Sequence, residues 1–170
     1  MTISMYAASV PVAIHTLTSL SKILSKAAAH CEAKSIDPNA FLTARMFPDM
    51  FPLIRQVQIA GDMVKGGVSR LAGVDVPKYE DNEVTFADLQ ARLDKTIAYL
   101  STFTPAQIDG SEDRDIVITM RDRTIETKGL PYLMGAVLPN MYFHTTTAYN
   151  LLRQGGVDIG KKDYLGTATP

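Results

Sequence analysis

With 170 residues, 46% of them hydrophobic, the chain is long enough for one domain with a full core. A formal charge of −1, with no Lys/Arg run longer than Lys161-Lys162, gives no basis for binding nucleic acid or an anionic membrane. One cysteine, Cys31, excludes an internal disulfide and a four-cysteine zinc site, and fits a reducing cytoplasm.

Tyr6, Val10, Ile14, Leu17, Leu20, Leu24, Ala27 and Cys31 recur at spacings of three and four, which predicts a long amphipathic helix over residues 4–33. Pro11 predicts a kink, or a break near Val10. The N-terminus lacks the basic segment of a signal peptide, its first lysine being Lys22, so it reads as the first helix of the mature protein. No apolar run approaches the ~18 residues of a membrane span. The expectation is a soluble cytoplasmic protein.

Asp37-Pro38 opens a turn or short helix. Pro48 and Pro52 place the start of a second long helix between Asp49 and Pro52, with Asp49 as candidate cap. Leu53, Val57, Ala60, Val64 and Leu71 form its core stripe, and Arg55, Gln58, Asp62 and Lys65 a polar stripe alongside. Gly66-Gly67 admit a close neighbour, and Gly73 is the stop. After a polar connection, Thr85 and Asp88 read as a capping pair for a third helix running to about Ser101. Its apolar positions are Phe86, Leu89, Leu93, Ile97 and Leu100. Thr104-Pro105 starts a further short turn.

From Arg114 to Gly129 the β-branched runs RDIVITM and RTIETK predict a two-stranded hairpin with a charged turn at Arg121-Asp122. Two strands alone are marginal, so the ribbon must lie on the helices. A fourth helix follows from about Leu130 to Arg153, with Pro131 in its first turn, Pro139 bending it and Gly155-Gly156 ending it. The tail reads as a surface strap anchored by Tyr164 and Leu165. The fold class expected is all-α: one four-helix bundle domain over 1–170, with a small β-hairpin between helices 3 and 4.

The chemistry centres on His144. On a helix it shares a face with Asn140, four residues before it. A buried histidine satisfied by a hydrogen bond is favoured over metal ligation, because catalytic zinc takes three protein ligands. His15 and His30 lie on the same helix about 22 Å apart at 1.5 Å per residue, too far to share a metal. His30 is expected on the solvent side, supporting its helix C-terminus. The polar stripe on the second helix reads as a solvated, charge-paired face unless it turns inward beside His144. Gly155 to Lys161 matches G-x-x-x-x-G-K, but Lys162 stands where a magnesium-holding Ser/Thr belongs and the segment follows a helix. A nucleophile elbow and a basic stripe with aromatic platforms are both missing from the sequence.

The stretches SMYAASVPV, ARMFPDMFPLIRQVQIA, KYED with TFADLQARLDKTIAYL, and LPNMYFHTTTAYNLLRQGGVDIGKKDYLG together resemble the DUF1993 family. That family is similar to the DinB/YfiT-like superfamily of metal-dependent proteins, and the resemblance spans nearly the whole chain. It implies the DinB four-helix bundle, often a homodimer. It also implies a divalent metal held by three histidines, one on the second helix and an H-x-x-x-H pair on the fourth. Some relatives are transferases or isomerases that use mycothiol, bacillithiol or glutathione. Here the fourth-helix pair reads Asn140-x-x-x-His144, and the second helix offers Gln56, Gln58 and Asp62 in place of histidine. Neutral amides are weak ligands for zinc or nickel.

The reading carried forward is a DinB-like bundle without the metal triad, acting as a dimeric small-ligand-binding or structural protein with no cofactor. His144, Asn140, Arg55, Gln58, Asp62 and Tyr149 are its pocket candidates. Arg55 would receive an anionic group, and Tyr142 or Tyr149 would offer a hydroxyl. The alternatives are a zinc- or nickel-dependent thiol transferase, with His144 as one ligand and Asp62 or a glutamine completing the shell, and a partner-binding helical module.

Overall fold

The computed structural model describes residues 3–119 and 122–166. Four long helices form the bundle: α1 (Met5–Lys34), α3 (Leu53–Ala72), α4 (Phe86–Leu100) and α7 (Leu138–Gln154). Short helices α2 (Asn39–Leu42), α5 (Pro105–Ile108), α6 (Gly129–Tyr132) and α8 (Lys161–Leu165) fill the connections. Strands β1 (Asp115–Thr119) and β2 (Thr124–Lys128) pair antiparallel, with Ile116 opposite Thr127 and Ile118 opposite Ile125. Arg121, half of the expected charged turn, lies outside the described residues, as do 167–170 of the tail.

The periodicity of the sequence becomes the packing. α3 lies chiefly against α7, α1 against α4, and α4 and α1 also meet α3 and α7 respectively. Leu17, Leu24, Leu53, Leu71, Leu89, Leu93, Leu133 and Met141 are fully buried where these faces meet. Each such side chain removed from water contributes about 1.5–3 kcal/mol. The hairpin leans on this core through Ile116, while Val117 on the opposite face of β1 is exposed.

Local signals explain the ends. Ser4 accepts the Ala7 N–H to cap α1, and Thr85 with Asp88 forms a reciprocal capping box on α4. At α5 the Thr104 N–H donates to Gln107 Oε1 at 2.9 Å. Gly73 ends α3 at φ 72°, a left-handed conformation that suits glycine. A Cβ on Gly67 would lie 2.6 Å from Val137 Cγ1, so this glycine lets the last helix approach α3. Val137 belongs to a π-helical segment, Leu133–Val137, where the Leu138 N–H reaches back to the Leu133 carbonyl. The widened turn directly precedes Pro139, whose ring would crowd the Gly135 carbonyl in a regular α turn.

Three expectations are corrected. α1 has no break near Val10 and continues through Pro11, with buried side chains on both sides of it. Asp49 does not cap α3, which begins at Leu53 after an extended Pro52. The tail contains a helix, α8, too short to show periodicity; its buried anchors are Val157 and Ile159, while Leu165 is 53% exposed.

By length and composition, α1 is also apolar enough to cross a membrane, with a mean hydropathy of 1.2 over its most apolar window. Half of that window is buried in the bundle.

Candidate functional site

His144 is buried on the side of α7 that faces α3, and its partner there is Gln56. The hydrogen-bond chain fixes the chemistry of both groups. The Phe51 carbonyl can only accept, so the Gln56 amide nitrogen must donate to it, at 2.9 Å. Gln56 Oε1 then faces His144 Nδ1 at 2.7 Å, and the ring must donate from Nδ1. In the neutral imidazole that leaves Nε2 unprotonated; it makes no hydrogen bond among the described residues. Burial holds the His144 pKa below its ordinary value of 6.5, which favours the neutral ring. Phe143 stacks edge-on at 5.2 Å between ring centroids.

Asn140 shares His144's helix but does not join it. Its side-chain amide donates to the Ala136 carbonyl at 2.7 Å, one turn back in the π segment. Tyr149 packs its ring against Tyr164, 5.8 Å between centroids. His15 is tied to α8 through Nε2 and the Leu165 carbonyl at 2.6 Å, and His30 lies edge-on to Phe41. In the Gly155–Lys161 segment the Gly160 N–H donates to the carboxylate of Asp163 in α8, at 2.8 Å.

The polar stripe of α3 belongs to a different site. Gln56 and Gln58 are two residues apart and so point to nearly opposite sides of the helix. Gln58 donates to Glu83 at 2.7 Å, accepts from Arg55 at 2.8 Å, and Arg55 also pairs with Asp81. Arg92 on α4 is buried and donates to Glu83 at 2.8 Å, to Asp62 at 2.9 Å and to the Glu80 carbonyl at 2.9 Å. Asp62 also holds the buried Lys65 at 2.7 Å. Lys65 and Lys95 lie 3.8 and 4.1 Å from the Tyr79 ring centroid.

Buried cations persist only when paired, so this network clamps loop 74–85 onto α3 and α4. Burial raises the pKa of Glu83, but the bonds from Arg92 and Gln58 outweigh it and hold the carboxyl below its ordinary range.

The six pocket candidates are therefore divided: His144 pairs with Gln56, Asn140 and Tyr149 make separate local contacts, and Arg55, Gln58 and Asp62 serve the clamp. None of them lines any of five surface clefts of 320–640 Å³. Sequence reasoning missed Arg92, Glu83 and Tyr79. Arg92 did carry a signal: it follows Leu89 by three, inside the apolar register of its helix.

Residues 5–165 match the family described as a domain of unknown function, DUF1993. The chain belongs to the DUF1993 family. Its fold is similar to that of a DinB family member protein from Shewanella denitrificans in a crystal structure: 39% identity, TM-score 0.89, 96% of this chain and 92% of that chain covered. No curated protein matches it. Among the described residues, this DUF1993 chain has no group of three or more His, Cys, Asp or Glu that could hold a metal.

The donor set explains why the DinB metal does not fit. Where the resemblance implies three histidines, α7 supplies one imidazole and Asn140, whose amide donates to Ala136. On α3, Gln56 is committed to Phe51 and His144, Gln58 to Glu83 and Arg55, and Asp62 to Lys65 and Arg92.

Proposed function

We propose that this DUF1993 protein works without a metal, as a homodimeric binding protein for a small ligand on the DinB scaffold. The observation that carries the reading is the 2.7 Å contact between His144 Nδ1 and Gln56 Oε1. The contact ties up the Gln56 amide oxygen and leaves the Nε2 lone pair of His144 as a lone imidazole donor, short of the three protein ligands a catalytic zinc takes. The pair locks Phe51, at the entrance to α3, against α7. Self-association is supported by Phe51 and Phe143, which flank the pair and remain 52% and 55% exposed.

Metal content measured on protein purified without a histidine tag tests the reading. Substoichiometric metal, unchanged in His144→Ala, is the expected result. Stoichiometric zinc or nickel that disappears in His144→Ala overturns it in favour of a metal-dependent thiol transferase. Light scattering across a concentration series tests the dimer: a mass near twice 18.6 kDa is expected, and a monomer at all concentrations removes that part.

A further inference from the structure

The other three long helices each carry four charged residues, but α7 carries one, Arg153 in its last turn. From Gly129 to Leu152, through α6, the π segment and most of α7, there is no Asp, Glu, Lys or Arg. Yet this stretch is not buried all round. On its outward side Leu130, Met134, Tyr142 and Phe143 are between 42% and 55% exposed, and Phe51, beside the His144–Gln56 pair, extends the patch. A charge-free surface rich in aromatic residues and Met has the composition of an interface core.

Gly135 gives the patch a centre. Gly67 has to be small because Val137 presses on it, but a Cβ on Gly135 would meet no described residue within 4 Å. Gly135 is exposed, and its φ is not in the left-handed region. A glycine here weakens the helix relative to alanine, and no described contact within the chain calls for it. What it does provide is a gap in the side-chain layer, through which a second helix can come close, as Gly67 lets the last helix approach α3.

Charge and area select the occupant. Partners of different sequence are matched by complementary charge, and this face has none to offer. It can meet its own copy without repulsion, as a two-fold contact between identical patches requires. A helix lying on a membrane surface carries Lys or Arg along its polar face; here they stand only beyond the two ends, at Lys128 and Arg153. The five half-exposed side chains hold roughly 100 Å² each, half of an aromatic's 150–250 Å², or roughly 500 Å² together. That is close to the apolar share, about 65% in homodimers, of the ~800 Å² each partner buries in a standard interface.

We infer that this face joins two copies of the chain, their last helices crossing at a two-fold axis beside Gly135, where the backbones come closest. The inference rests on the homodimer proposed above and names the surface that makes it.

Gly135→Arg and Gly135→Glu test it by sedimentation velocity. Open space around Gly135 lets each variant fold, checked by its helical circular dichroism. The parent is expected at twice 18.6 kDa and each variant alone at 18.6 kDa, because like charges meet across the axis. An equimolar mixture of the two variants pairs opposite charges and is expected to return to the doubled mass. Val117→Arg, on the exposed face of the hairpin, should stay dimeric. Gly135 variants that stay dimeric, a mixture that stays monomeric, or loss of the dimer in Val117→Arg would each overturn this face while leaving the homodimer standing. A parent that is monomeric at all concentrations overturns both: sedimentation with phosphatidylcholine vesicles would then give the face to a membrane, and its absence to a different protein.

Discussion

Removing Arg92 probes the clamp where the structure makes it most exposed to loss. In Arg92→Met the stem is replaced by a comparable apolar side chain, but Glu83, whose side chain is only 8% exposed, loses its cation and keeps Gln58 as side-chain donor. Breaking a buried pair from one side costs about 3–5 kcal/mol. Asp62 and Asp81 add little, because at 37% and 42% exposure water replaces the lost partner. A loss of about 3 kcal/mol at pH 7 is therefore expected, read by urea denaturation with circular dichroism. Adding Glu83→Gln to Arg92→Met removes the stranded charge and should recover about 1–2 kcal/mol, measured as the coupling in a double-mutant cycle.

The pH dependence has a definite sign. The folded-state pKa of Glu83 lies below its ordinary 4.5, so the clamp's contribution is present above that value and is lost as pH falls through the folded-state pKa. The gap between parent and Arg92→Met should narrow in that acid window. A gap below about 1 kcal/mol at pH 7, or one unchanged by acid, would refute the pairing argument.

His144 gives the same sign by another route, a base whose pKa is lowered by burial: its unfolded form takes up a proton near 6.5 while the folded form stays neutral. Stability should therefore fall as pH drops below 6.5, and the difference curve against His144→Gln should isolate that slope. Gly67→Ala forces a Cβ against Val137 and should cost about 1–3 kcal/mol in thermal melts. Thr85→Ala removes the capping box of α4 and should cost about 1 kcal/mol by the same assay. If Phe51 and Phe143 lie at the dimer contact, the double variant Phe51→Ser, Phe143→Ser should sediment as a monomer with its helical spectrum intact.

Much of the bundle was legible because its signals are local. The three- and four-residue spacings, the Thr85–Asp88 box and Gly73 each act within a turn or two of chain. The π segment was not legible, since its cause is the meeting of Pro139 with a close α3 at Gly67. The candidate site was legible only in part. The inward-facing His144 followed from its helix, but its choice of Gln56 over Gln58 depends on the rotation of α3, which periodicity fixes only to within a residue. The clamp depends on pairing across 74–85, and composition makes such a charged loop read as solvated.

The central claim is that His144, a donor to Gln56 at Nδ1, lacks the companion ligands that would hold a metal at its free Nε2. Nitrogen-15 chemical shifts of the His144 ring at pH 7, recorded with and without one equivalent of zinc, test it most directly. The account predicts a neutral ring protonated at Nδ1 and unchanged by zinc. A ring protonated at Nε2, or nitrogen shifts that move to a metal-bound position when zinc is added, would contradict it.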